Sequence, residues 1–261
     1  MLRRTTLAFA LALTASAGAA PGAKPPPGEL VIFEAASLRE GFAGLTARFE
    51  KEHPGTHVVT NAAGSQELRA QIEQGAAVDV FASADERQMN ALAGEGLVAA
   101  PALFACNEPV VVVRSDLAGT VKTFADLPRA ERIVVGAPEV PIGAYTAQVW
   151  QKAARKLGAG FAARVQAKIV SRETNVRQVL AKIVLGEADA GVVYRSDAHA
   201  AQGKVAVVSI PPELNVTASY PIAVLQAAPH AELGRAFVAL VRSPAGLAAL
   251  GEAGFVPCPA R

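Results

Sequence analysis

Apolar positions in the first third of the chain follow two alternating rhythms. LVIFEA (30–35), the stretch 58–62 and DVFA (79–82) are short apolar runs and read as buried strands. Between them Leu38, Phe42, Leu45 and Phe49 fall on one face at helical spacing, as do Leu68 with Ile72 and Met89 with Leu92. Ser37 and Glu40 have the S-x-x-E form of a capping box, and Gly75 ends the second helix. Strand–helix alternation of this kind argues for an α/β fold with a parallel, doubly wound sheet.

Near Asn107 and Pro109 the pattern restarts. Residues 110–113 are very apolar, 133–136 read as a strand, and 143–157 as a helix carrying Trp150, the only tryptophan. Residues 168–170 lead into the clearest unit of the chain, SRETNVRQVLAKIVLGEADAGVVYRSDA (171–198). Asn175 with Gln178 has the form of a helix start. Val176, Val179, Leu180 and Ile183 share a face, and Gly186 supplies the stop. A short buried strand, 189–194, then ends on Tyr194. After a strand at 205–210, Pro211 and Pro212 mark a second break. The stretch 220–225, a helix around Phe237 and Leu240, and the tail Gly254-Phe255-Val256 close the chain. The reading is two doubly wound α/β lobes, the second inserted in the first, with hinge crossings near 105–109 and 214–220. Lobe I is expected to take 30–106 and 219–261, and lobe II 107–218.

The N-terminus changes the expected compartment. Arg3 and Arg4, the apolar run 7–13 and small residues around Ala15, Ala17 and Ala19 read as a secretory signal peptide over 1–20, cleaved between 17 and 20. Residues 21–29 form a proline-rich tether. With the signal removed, 23 basic residues face 23 acidic ones, so the exported chain is neutral and has no electrostatic footprint for nucleic acid. Export to an oxidising compartment makes Cys106 and Cys258, the two cysteines, a candidate disulfide.

Nucleotide-binding, metalloprotease and serine-hydrolase motifs are absent: there is no G-x-x-x-x-G-K-[ST], H-E-x-x-H, G-x-S-x-G or S-x-x-K. His53, His57, His199 and His230 are scattered, and Pro54 and Gly55 break the helix that would align the first two. No cofactor is expected. What recurs is a strand handing over to a helix through a small polar corner: Ser37, Ser65, Asn175-Val176, and the turn Pro141-Ile142-Gly143. One such corner is an ordinary cap. Four on the strand C-terminal side would converge on one cleft, offering hydroxyl and backbone N–H donors. A fully deprotonated tetrahedral oxyanion accepts on every oxygen and suits a pocket made only of donors. Sugar binding would call for aromatic faces, yet the chain is 5% aromatic.

AASL (35–38), GSQELRAQIEQG (64–75), DVFASADERQM (79–89), VPIGAY (140–145), NVRQVL (175–180) and GEADAGVVYRSDA (186–198), followed by Tyr220-Pro221, resemble the periplasmic molybdate-binding proteins of ABC transporters. The resemblance runs in order from about residue 30 to Gly254-Phe255. It implies the type II periplasmic binding protein architecture, no enzymatic activity, and capture of molybdate and tungstate for an inner-membrane ABC permease. It also implies an oxyanion held by the Ser37 and Ser65 hydroxyls, the backbone N–H groups of Ile142 and Val176, and the Tyr194 hydroxyl. Two departures stand out: Ile142 where the family often has alanine or glycine, and a longer spacing between Gly143 and Asn175. Rival readings are a binding protein for another oxyanion such as sulfate or phosphonate, and an exported hydrolase using Ser37 or Ser65 with a histidine in reach. A third is the effector lobe of a regulator, against which the export signal and the lack of a helix-turn-helix count.

Overall fold

The computed structural model describes residues 28–259. The signal peptide and all but the last two residues of the tether lie outside them. Two five-stranded sheets organise the chain. In the first, β1 (Glu29–Ala35) pairs in parallel with β2 (His57–Ala63) and β3 (Val80–Ala82). β4 (Val98–Asn107) and β10 (Ala218–Leu225) complete it in the order β2-β1-β3-β10-β4. In the second, β6 (Ile133–Gly136) pairs in parallel with β7 (Ile169–Glu173) and β8 (Ala190–Tyr194). β5 (Pro109–Arg114) and β9 (Val205–Ser209) extend it, giving β7-β6-β8-β5-β9.

Each sheet therefore has the parallel trio that strand–helix alternation implies, plus two further strands, one of which runs in a direction that alternation does not foretell. β10 is antiparallel to β3, and β5 is antiparallel to β8. The cause lies in the connections. β4 ends at Asn107 and β5 begins at Pro109, so the chain crosses between sheets through Glu108 alone, and no helix turns it round. β5 starts at the end of its sheet where β8 finishes, and it can only run back. The return crossing between β9 and β10 does the same for β10.

Helices cover the sheets. α1 (Arg39–Glu52), α2 (Ser65–Glu73) and α3 (Glu86–Gly94) alternate with the first strands. α4 (Pro141–Leu157), α5 (Ala159–Gln166), α6 (Val176–Val184) and the short α7 (Arg195–Ala200) serve the second sheet. α8 (Ala231–Arg242) and α9 (Pro244–Glu252) return to α1. The long spacing from Gly143 to Asn175 is taken up by α4 and by α5, which the sequence pattern did not separate. The Ser37 capping box does not form. Ser37 lies in a 3-10 turn (Ala36–Leu38) and caps nothing, because its hydroxyl is committed elsewhere. Asn175 does cap α6, accepting from Gln178 N at 3.1 Å, and Gly186 ends that turn with φ +77°, a conformation glycine adopts without strain.

Cys106 and Cys258 form a disulfide across 152 residues. It holds the C-terminal tail against β4, where Val256 N also donates to Cys106 O at 2.9 Å.

One core group has a testable cost. Glu34 on β1 is 2% exposed, and its Oε2 has no hydrogen-bond partner. Burial raises its pKa from 4.5 to about 7, against the pull of Arg39. The folded state thus holds this proton at pH values where the unfolded chain has lost it. The penalty is absent below about pH 4.5, grows as pH rises, and is complete above about pH 7. Glu34→Gln is expected to stabilise the protein by about 2 kcal/mol at pH 8 and hardly at all at pH 4. Urea unfolding at the two pH values checks this; an equal effect at both would refute it.

Candidate functional site

Where the two sheets face each other, their strand C-termini and helix N-termini surround a small cavity. Ser37, Ser65, Ile142, Val176 and Tyr194 all line it, with Ala35, Ala36, Gly64, Ala84, Val140, Pro141 and Asn175 among their neighbours. The structure thus brings all five predicted site residues together. Among the described residues, no lysine, arginine or histidine lines the cavity.

Local sequence explains each placement. Ser65 is the first residue of α2 behind Gly64. Pro141 takes the first position of α4, where its fixed φ and missing N–H cost nothing, and so sets Ile142 at the second. Val176 opens α6 behind its Asn175 cap. The first N–H groups of a helix have no intrahelical acceptor, so the amides of Ile142 and Val176 stand at positive helix ends beside the cavity. Tyr194 ends β8, and its own N–H is held by Asp197 Oδ2 at 3.2 Å. The Ile142 side chain is fully buried over Gly136, where an added Cβ would lie 2.7 Å from Ile142 Cγ2. The larger residue is therefore accommodated by a glycine behind it.

The hydroxyls differ in their commitments. Ser65 Oγ accepts from Ala84 N at 3.0 Å, which leaves its proton free to point elsewhere. Ser37 Oγ lies 2.9 Å from Tyr220 Oη. Tyr194 Oη is buried without a hydrogen-bond partner among the described residues, an expensive state for a polar atom. Burial keeps the Tyr194 phenol well above its ordinary pKa, with the neighbouring Tyr220 and Tyr145 acting in the same sense, so it remains a protonated donor. The hydrolase reading needs a histidine beside Ser37 or Ser65, and their partners are a tyrosine and a backbone amide instead.

The two halves are in contact around the cavity. Gln66 Nε2 donates to Thr174 O at 2.7 Å, and Arg87 Nη2 and Gln88 Nε2 both donate to Glu139 O. Gly64 is needed here, since a Cβ would sit 2.4 Å from Thr174 O. Sequence reasoning missed Arg177, next to Val176. Its Nε donates to Ala36 O at 3.3 Å and lies 3.1 Å from Asp197 Oδ1, while Nη2 pairs with Glu40 across the junction. Asp197 is wholly buried, and burial raises its pKa to about 6 despite Arg177. Arg177 thus does not line the cavity and is paired with two carboxylates. Glu67 caps α2 by accepting from Gly64 N, whereas Glu40 serves Arg177 rather than the expected capping box.

Comparison with known proteins agrees with this architecture. The family model of bacterial extracellular solute-binding proteins matches residues 30–256. The molybdate-binding protein ModA of Mycobacterium tuberculosis is 39% identical over 241 residues, covering 92% of this chain and 87% of its own. ModA of Escherichia coli is 34% identical over 226 residues, covering 83% and 84%. Among solved structures, the periplasmic molybdate-binding protein of Azotobacter vinelandii superposes with a TM-score of 0.77 at 22% identity, covering 88% of this chain and all of its own. The sulfate-binding protein SubI of M. tuberculosis gives the same TM-score at 20% identity, covering 88% and 86%. At these identities the superpositions speak for the fold, the type II periplasmic binding protein architecture. With a family match spanning nearly every described residue, the chain belongs to the bacterial extracellular solute-binding proteins.

Proposed function

We propose that this protein is an extracytoplasmic receptor that captures molybdate, and tungstate as its near-equal in size, and delivers it to an inner-membrane ABC permease. The reading of residues 1–20 as an export signal supports the periplasm as the place of that work. The two lobes are 30–106 with 219–261, and 107–218. The observation that carries the reading is the unpartnered, buried Tyr194 hydroxyl, which shares one small cavity with two serine hydroxyls and two helix N-termini. A proton-free tetrahedral dianion satisfies all of them at once. The relatives named ModA add to this on the side of molybdate. Ser37 and Ser65 grip from the first lobe and Ile142, Val176 and Tyr194 from the second, so the guest favours the closed form. Rejection of sulfate would follow from cavity size.

Ser65→Ala is expected to weaken molybdate binding by about 1–3 kcal/mol, because Ala84 N loses its acceptor and the guest loses a donor. Calorimetry reads this directly, and unchanged affinity would remove Ser65 from the site. A thermal-shift series with molybdate, tungstate, sulfate and a phosphonate tests the choice of guest. A strong rise with sulfate and none with molybdate would replace the reading.

A further inference from the structure

The C-terminal tail follows α9, which packs with α1 and α8 beside the first sheet, yet the tail does not stay on that half. Gly254 has φ +90°, a value glycine adopts without strain, and it turns the chain off the end of α9 onto α7 of the other half. A Cβ at Gly254 would lie 2.9 Å from His199 Cβ and 3.1 Å from Ser196 Cα, so tail and helix are in direct contact. Val256 then pairs with Cys106 near the end of β4, and Cys258 closes the disulfide on that same residue. The tail thus bridges the two halves in addition to the chain crossings at Glu108 and between β9 and β10.

Both things the tail touches support the site. α7 follows Tyr194 directly, and its Asp197 holds the Tyr194 N–H. Its first residues are fastened to the crossing: Arg195 N donates to Glu108 O at 3.0 Å, and Asn107 Nδ2 donates to Ser196 Oγ at 2.8 Å. Gly254 adds the contact from the tail. Phe255 is buried against Gly41 of α1, where an added Cβ would lie 3.4 Å from its ring, and edge-on against Tyr220 at 5.3 Å between centroids. Tyr220 in turn stands edge-on to Tyr194 at 5.7 Å, and its Oη lies 2.9 Å from Ser37 Oγ. An emptied Phe255 site would leave space behind Tyr220, and a Tyr220 that settles into it withdraws support from both hydroxyls.

We infer that Phe255 and Gly254 are positioning residues of the site: the tail holds Tyr194 and Ser37 in place from behind, and the Cys106–Cys258 bond keeps the tail there. Neither residue lines the cavity, so they act through Tyr220 and α7. Donors grip a guest only as well as their supporting shell holds the donors. The inference rests on the oxyanion reading above and assigns the support of two of its hydroxyls.

The test measures molybdate binding by calorimetry on the full exported chain, at a temperature where circular dichroism shows each variant folded. Phe255→Ala is expected to weaken molybdate at least about tenfold, since a small displacement of the binding groups suffices for that. In a Tyr194→Phe background the same change should cost less, because one of the hydroxyls it misplaces is already gone. Phe161→Ala is the control. It empties a ring site in the Phe124–Trp150–Phe161 cluster of the second sheet, and should lower the urea midpoint while leaving molybdate affinity as it was. Gly254→Ala is the second variant, in case Phe255→Ala folds poorly: its methyl group presses on α7 and should weaken molybdate in the same sense. A tail that only stabilises the fold would lower the urea midpoints and leave both affinities unchanged. That result overturns the inference while the oxyanion reading stands. A wild-type protein that binds neither molybdate, tungstate nor sulfate overturns both.

Discussion

Replacing Cys106 and Cys258 together by alanine is expected to lower the unfolding free energy by about 5 kcal/mol. The disulfide closes a loop of 152 residues, and in the chain-entropy account the stabilisation grows with the logarithm of that length. Against a typical total of about 5–15 kcal/mol this is a third or more of the stability. The loss should appear as a lower urea midpoint, and as a similar shift when the oxidised protein is treated with reductant. Its structural seat is the tail. Val256 is tied to Cys106, Phe255 packs edge-on against Tyr220, and Gly254 lies against α7, where a Cβ would come within 2.9 Å of His199 Cβ. Without the bond the tail must hold these places by packing alone. Equal midpoints for the oxidised and the cysteine-free proteins would show that the unfolded chain gains nothing from being cut loose.

Arg177→Met should be nearly as costly, about 3–5 kcal/mol, for an electrostatic reason. Asp197 is wholly buried, and removing Arg177 leaves an ionised carboxylate with the Tyr194 N–H but no countercharge. The pH dependence separates this from lost packing. Burial already raises the Asp197 pKa from 3.8 to about 6, and taking away the opposing Arg177 raises it further. A carboxyl group with a raised folded pKa is penalised only when ionised, so the penalty grows as pH rises through that pKa. The deficit of the variant is therefore expected to be larger at pH 8 than at pH 5. Combining Arg177→Met with Asp197→Asn should recover much of the stability. It should not restore the bridges from Arg177 to Glu40 and Ala36 O, which join the two halves beside the cavity. Ligand affinity should stay reduced in the double variant, because those bridges hold the two halves together around the cavity. A deficit under about 1 kcal/mol at pH 8 would mean that Asp197 is not ionised in the wild-type protein, and the argument fails.

Legibility varied with the range of the interaction. α6 could be read almost residue by residue, because a cap, a 3.6-residue apolar face and a stop glycine are local signals. The apolar runs of β1, β3, β5 and β8 were equally plain. α5 was not, since it follows α4 through Gly158 and its face of Phe161, Ala162 and Val165 is too short to stand out. β4 was passed over because only its C-terminal half is buried, and the exposed Ala100-Pro101 breaks any alternation. At the cavity, the corner positions of Ser37, Ser65, Ile142, Val176 and Tyr194 were visible as strand–helix junctions and in the family resemblance. The second layer was not. Tyr220 reads as an apolar residue in an apolar strand, and only a buried hydroxyl's need for a partner hinted that it meets Ser37.

The amino-acid order by itself determined the elements and their polarity, hence that helix N-termini and strand C-termini would share one side of each sheet. Those are consequences of φ/ψ preference, capping and apolar period, which act over a few residues. Tertiary structure alone decided that β5 and β10 run against their neighbours, that Arg177 is spent on Asp197 and Glu40, and that Tyr220 meets Ser37. Each joins residues many positions apart. Which partner a buried charge or hydroxyl finds depends on the closing of the whole chain, and no local pattern records it.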